Sequence, residues 1–305
     1  MPVSIGVVGV GTMGMPAVRL LLKSGDSVVV SDVNEDALRR AESMGATRVD
    51  TPAQVAAQAD IVLLFLPGPT QVEAVVTGER GLLEAGRVNQ AIVDLSTVDP
   101  TTTRRMGARA AAVGVDYLDA PILGRPDAVG RWVLPVGGDP QVLERCRPVL
   151  SKFAREIIHV GALGAGHTLK LLNALMFSAI NAMTAEMMAI SAKAGLDPRV
   201  LFDTIAGSNA ATVSGLFKES GHRIVERDFT PTFTIDLLCK DNSLAIQMAK
   251  DAGAPPILAN AIQTINELGR AKGYGAEDSS ALVKVYEQLF HVPADGFPDH
   301  GTRRA

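Results

Sequence analysis

The sequence predicts an α/β N-terminal half built on a doubly wound, mostly parallel sheet, followed by a long helix and an all-helical C-terminal half. Three observations lead there. Short apolar runs alternate with helical stretches through the first half, the pattern that places helices on both faces of a parallel sheet. The run Gly161-Ala162-Leu163-Gly164-Ala165-Gly166 breaks that alternation and precedes a segment, Thr168 to Ala194, that contains no Pro or Gly. Beyond it, apolar residues recur every three or four positions, which is helical spacing.

Taken in order, the apolar runs predict strands at Ile5 to Val8, Val28 to Ser31, Ile61 to Leu66, Ala91 to Leu95, Tyr117 to Ala120, Trp132 to Val136 and Ile157 to Val160. The first helix, Pro16 to Lys23, stops at Ser24-Gly25, a helix terminus that leads into the next strand. Thr168 to Ala194 fits one helix of about seven turns, ended by Gly195 with Asp197-Pro198 beyond. Further helices are expected at Pro198 to Ala206, Ala211 to Lys218, Leu237 to Ala252, Pro256 to Lys272 and Ala281 to Phe290. The expected domains are residues 1–163 and 164–292. The Pro-, Gly-, Asp- and Arg-rich stretch 293–305 has almost nothing to bury and is expected to be a frayed tail.

Composition narrows the function classes. A chain of 305 residues exceeds what one core usually supports, and 47% hydrophobic with 20% charged residues suffices for two cores. A formal net charge of −4 gives no electrostatic reason to bind nucleic acid or an anionic membrane. The uninterrupted apolar runs fall far short of the ~20 residues needed to cross a bilayer. The N-terminus lacks the charged region and cleavage site of a signal peptide, so a cytoplasmic location is expected. Cys146 and Cys239 form no CxxC pair, and His159, His167, His222, His291 and His300 show no ligand spacing, so neither a disulfide framework nor a metal site is expected.

The strongest local signal is Gly9-Val10-Gly11-Thr12-Met13-Gly14, placed between a predicted strand and a predicted helix. Gly9 suits a tight turn, Gly11 lets a pyrophosphate approach the backbone, and Gly14 lets the helix pack on the strand. The unpaired N–H groups of the helix start attract phosphate. Asp32, at the end of the second strand, is placed to accept hydrogen bonds from the adenosine ribose and to repel a 2′-phosphate, which favours NAD over NADP. Its other reading is that it merely caps a turn before the helix start at Asn34-Glu35-Asp36. Leu66-Pro67 and Ser96-Thr97 lie at further strand ends, where ligands of open α/β sheets gather, or are a stiff loop and a helix start.

These residues resemble the β-hydroxyacid dehydrogenases, the group of 3-hydroxyisobutyrate and tartronate semialdehyde reductases. The likeness spans nearly the whole chain. It is carried by Gly9 to Gly14, Leu66-Pro67, Asp94-Leu95-Ser96-Thr97 with Pro100, Asp119-Ala120-Pro121, Gly137-Gly138, Gly164-Ala165-Gly166 with Lys170 and Asn173, and Lys240-Asp241. It implies a Rossmann domain, a long interdomain helix, a helical domain and an active site in the cleft between them, within a homodimer or homotetramer. It also implies that Lys170 is the general acid or base and that Asn173, one turn further on a helix face, orients substrate or lysine. The implied coenzyme contacts are the glycine loop, Asp32, Leu66, Pro67, Gln71, Thr97 and Lys240. The charge of Lys240, if close, would disfavour protonation of Lys170. Ser96, Leu123, Gly124, Arg125 and Phe233 are the implied substrate contacts, with Phe233 at an apolar lid position. Read without the family, Lys170 is an ordinary lysine on an amphipathic helix and Phe233 a core residue.

One segment departs from the family pattern. After Asp-Ala-Pro the usual run is valine, serine, glycine, glycine, whereas this chain has Ile122-Leu123-Gly124-Arg125. Leu123 removes a hydroxyl from the carboxylate-binding run, and Arg125 can replace it through a bidentate pair. Ala174 also stands where many relatives carry a second polar residue. The expected function is NAD-dependent hydride transfer to or from a small β-hydroxy acid or its semialdehyde or ketone. A reductase of less polar aldehydes, ketones or imines is the nearest alternative, and a non-catalytic dinucleotide-binding protein the alternative of another class.

Overall fold

A computed structural model describes residues 3–208 and 214–292. The chain divides into two compact units, Met1–Leu171 and Leu172–Ala305. The first contains the strands β1 (Ile5–Val8), β2 (Val28–Ser31), β3 (Thr47–Arg48), β4 (Ile61–Leu64), β5 (Ala91–Asp94), β6 (Asp116–Asp119), β7 (Trp132–Gly137) and β8 (Ala154–Gly161). They form one sheet in the order β3-β2-β1-β4-β5-β6-β7-β8. Strand order reverses between β1 and β4, which is the switch point where an open α/β sheet leaves a crevice for a ligand. Intervening helices are α1 (Gly14–Lys23), α2 (Glu35–Ser43), α3 (Pro52–Gln58), α4 (Pro69–Thr77), α5 (Pro100–Ala111) and α6 (Pro140–Leu150).

In β1, β2 and β4 to β7 both faces of the sheet are buried, which explains why these strands read as continuous apolar runs, whereas the edge strand β8 is largely exposed. Ile5, Val7, Leu63 and Val93 enter one cluster, completed by Ala17, Leu21, Trp132 and Phe153. Val8, Val62, Leu64 and Ile92 enter the other, with Val55, Val72 and Met106. Two details differ from expectation. The two-residue β3 is too short to leave an apolar pattern. β7 runs antiparallel to β6, because residues 120–131 contain only a 3-10 turn at Pro126–Ala128 and no crossover helix. Both cysteines are buried, which pushes the Cys146 thiol up to about 11 and that of Cys239 to about 12.

Helix α7 (Ala165–Lys193) starts in the first unit and continues into the second, the units dividing after Leu171. At 29 residues with a mean hydropathy of 1.3 it reaches bilayer length and apolarity, although half of the apolar window is buried in the protein. Counting only unbroken apolar runs misses this, since polar residues such as Asn173 and Ser178 punctuate the helix. The second unit continues with α8 (Pro198–Gly207), α9 (Gly215–Glu226), α10 (Ile235–Asp251), α11 (Ile257–Ala271) and α12 (Val283–Phe290). Ala185, Met188, Phe217, Leu238, Leu282 and Tyr286 belong to its core. The start of the helix expected from Ala211 and the stretch 293–305 lie outside the described residues.

Candidate active site

The glycine loop follows β1 and leads into α1. Gly9 adopts a left-handed φ of +93°, and a methyl on Gly14 would collide with the Gly9 carbonyl. Gly11 is exposed, and a methyl there would meet nothing within 4 Å. Packing therefore explains the first and third glycines but not the second. Asp32 follows β2. Its Oδ2 accepts the Val10 N–H at 2.6 Å and its Oδ1 the Asn34 N–H at 2.8 Å, so the carboxylate is fixed against the loop. Helix α2 itself is capped by Asn34, whose side chain accepts from Asp36 and Ala37, while the bond from the Asn34 N–H to Asp32 Oδ1 caps the turn before it. Val33 is fully exposed, and the guanidinium groups of Arg39 and Arg48 pair with Asp36 and Glu35 respectively.

Val8, Leu64, Asp94 and Asp119 are in register across β1, β4, β5 and β6. The loops leaving these strands therefore emerge along one edge, spaced by about 4.8 Å per strand. Leu66 and Pro67 form the second of these loops, and Gln71 lies exposed on the first turn of α4. Ser96 is buried: its Oγ accepts the Leu66 N–H at 3.0 Å. Accepting that bond leaves the Ser96 hydroxyl its own proton to donate, and Thr97 beside it is half-buried.

The loop after β6 carries the unusual residues. Leu123 exchanges both backbone hydrogen bonds with Val133, at 2.9 and 3.2 Å. Gly124 lies against the Trp132 indole with φ +157°, and Trp132 Nε1 donates to the Arg125 carbonyl at 2.7 Å. Trp132 is wholly buried in the sheet core, yet its one polar atom holds this loop. Lys170, in the second turn of α7, donates from Nζ to the Ile122 carbonyl at 2.8 Å, which brings the amine to the same loop.

Asp119 fastens the start of α7. Its Oδ1 accepts the Gly164 N–H and its Oδ2 the His167 N–H, both at 2.7 Å, satisfying donors that a helix start leaves unpaired. Burial pushes this carboxyl above its ordinary range, opposed by His167 and the two N–H groups. Gly137 and Gly166 are obligatory here, because a methyl on either would strike Asp119. In the helical unit, Asn173 is exposed and Lys240 pairs with Asp241 at 2.8 Å. Phe233 is half-buried and packs edge-on against Phe177, with ring centroids 5.3 Å apart, against the helical core. Among the described residues no three His, Cys, Asp or Glu side chains group as metal ligands.

Residues 4–161 match the family model of the NAD binding domain of 6-phosphogluconate dehydrogenase. Residues 164–286 match that of the NAD-binding domain of NADP-dependent 3-hydroxyisobutyrate dehydrogenase. The 2-(hydroxymethyl)glutarate dehydrogenase of Eubacterium barkeri is 37% identical, over 96% of this chain and 98% of that protein. The chain belongs to the β-hydroxyacid dehydrogenase family. Like its relatives, this β-hydroxyacid dehydrogenase is an NAD(P)-dependent oxidoreductase acting on CH–OH groups. The 3-sulfolactaldehyde reductase of Escherichia coli K12 is 33% identical, over 92% of this dehydrogenase and 95% of the relative. Among solved structures, Mycobacterium tuberculosis 3-hydroxyisobutyrate dehydrogenase with L-serine has a TM-score of 0.85 at 30% identity. That match covers 93% of this dehydrogenase and 99% of the other chain.

Proposed function

We propose that this enzyme interconverts a small β-hydroxy acid and its semialdehyde or ketone with NAD, and that Lys170 moves the proton. The observation that carries the proposal is the Lys170 amine held 2.8 Å from the Ile122 carbonyl, on a loop that shares its sheet edge with the glycine loop. The open space beside Gly11 and the anchored Asp32 fit a dinucleotide. When bound, that coenzyme supplies or accepts the hydride. The chain's own work is then positioning and proton transfer. In reduction the Lys170 ammonium gives a proton to the oxygen of the carbonyl as hydride arrives, and in oxidation the neutral amine takes it back.

The preference for NAD rests on Asp32, whose negative charge would face a 2′-phosphate with no unpaired guanidinium at Arg39 or Arg48 to offset it. Arg125 is the proposed carboxylate anchor, in place of the hydroxyl lost at Leu123, and the Trp132 contact fixes its backbone. The leucine also supports a second reading, in which the substrate is a less polar carbonyl compound or imine. Asn173 and Lys240 keep the roles that the family resemblance implies, orienting group and coenzyme contact. The exposed apolar residues Met176, Met183, Ile257 and Leu258 support a homodimer or homotetramer.

An absorbance screen at the reduced-nicotinamide band tests these readings together. Hydroxy acids, semialdehydes, ketones and cyclic imines would each be offered with NAD(H) and NADP(H). Turnover of hydroxy acids with NAD(H) is the expected result. Activity confined to uncharged carbonyls or imines would replace the acid by the second reading, and faster turnover with NADPH than with NADH would overturn the role of Asp32.

A further inference from the structure

His167 was not among the residues that sequence reasoning singled out for chemistry, yet both of its ring nitrogens have partners. It is completely buried in the first turn of α7. Nε2 lies 3.1 Å from the Ser96 carbonyl and Nδ1 2.6 Å from Thr103 Oγ1. A carbonyl oxygen only accepts, so Nε2 carries a proton and donates to Ser96. Thr103, on α5, has one hydroxyl proton and two neighbours for it, His167 Nδ1 and the Asp99 carbonyl.

Ser96 is the other half of the arrangement. Its N–H donates to Asp94 Oδ1 at 3.0 Å, and Asp94 Oδ2 accepts the buried Tyr117 hydroxyl at 3.0 Å. Its Oγ holds the Leu66 N–H, and its carbonyl holds His167. One residue at the end of β5 thereby ties the Leu66-Pro67 loop to the helix that carries Lys170. His167 and Lys170 are three residues apart and share a face of α7, so a shift at the first reaches the second within one turn.

We propose that His167 is a positioning residue for hydride transfer, clamped between Ser96 and Thr103 so that the Lys170 amine stands in a fixed relation to the β5 end and the Leu66-Pro67 loop. The inference rests on the reading of Lys170 as the proton-moving group. Burial alone requires both ring nitrogens to be paired; what points to positioning is where the partners lie, one on the residue that also holds the Leu66 N–H and one on α5, within one turn of Lys170. A displacement of about 1 Å at a reacting group can cost roughly 100-fold in rate, so the effect is expected in kcat.

The test compares two amides in the full-length enzyme with its best substrate. His167→Gln places an N–H where Nε2 stood and keeps the bond to Ser96, whereas His167→Asn reaches only towards Thr103. The Asn variant should lose about 100-fold in kcat with KM within about threefold, and the Gln variant should recover to within about fivefold of wild type. The primary isotope effect with deuterated NADH should rise in the Asn variant as hydride transfer becomes limiting. Should the Asn variant fail to fold, Thr103→Val, which removes the Nδ1 partner, should still lower kcat about tenfold. Equal losses in Asn and Gln variants, or a fall in Tm with kcat unchanged in the variants that fold, would overturn the proposal. Failure of the underlying reading is visible separately: Lys170→Ala with wild-type turnover would remove both.

Discussion

Gly11 and Gly14 stand in one loop for different physical reasons, and alanine at each separates them. At Gly14 the added methyl meets the Gly9 carbonyl, so Gly14→Ala should destabilise the protein by about 2 kcal/mol or more in denaturant unfolding. At Gly11 it meets open space, so Gly11→Ala should keep stability within about 0.5 kcal/mol. The same change should weaken NADH binding at least about tenfold in a fluorescence titration, because the methyl occupies the approach of the pyrophosphate. Asp32 gives a further prediction at this scale. Asp32→Asn keeps the shape and removes the charge, so the ratio of kcat/KM for NADH over NADPH should fall at least about tenfold. What depends on near neighbours in the chain was legible in the sequence: the Asn34 helix start, and the close approach of Gly14 to Gly9. His167 and Trp132 were not, because what gives them a role is contact with Ser96 and Thr103, or with the Arg125 backbone, and neither spacing nor residue type announces such contacts.

At the scale of elements, the start of α7 depends on an acceptor supplied from β6. Asp119→Ala would leave the buried Gly164 and His167 N–H groups without their acceptor and should cost about 3 kcal/mol, measured by urea unfolding. In the helical unit, Asp278 ties the chain before α10 to the turn before α12. Burial raises its carboxyl, but donors from Thr232, Ser280 and Phe233 together outweigh this and hold it below the ordinary value. Its folded value thus lies below its unfolded one. The stabilisation is complete above the ordinary carboxylate range and is lost as pH falls through the lowered folded value. Asp278→Asn should therefore lower stability at pH 7 by about 1–3 kcal/mol and make the acid loss shallower, as read by circular dichroism. Seven of the eight strands left an apolar run in the sequence, six of them because both sheet faces bury their side chains, while of the exposed edge strand β8 only the part from Ile157 to Val160 was legible. The short β3 left none, and the direction of β7 followed from the absence of a helix in residues 120–131.

At the scale of the whole molecule, the mass in solution tests the proposed homodimer or homotetramer. Light scattering should give two or four times the 32.0 kDa of one chain, and a monomer would contradict that reading. The measurement closest to the central claim is stopped-flow hydride transfer by Lys170→Ala beside wild type, with NADH affinity measured on the same samples. The proton-moving role of Lys170 predicts affinity within about threefold of wild type and hydride transfer slowed at least about 100-fold. Hydride transfer at the wild-type rate would contradict it.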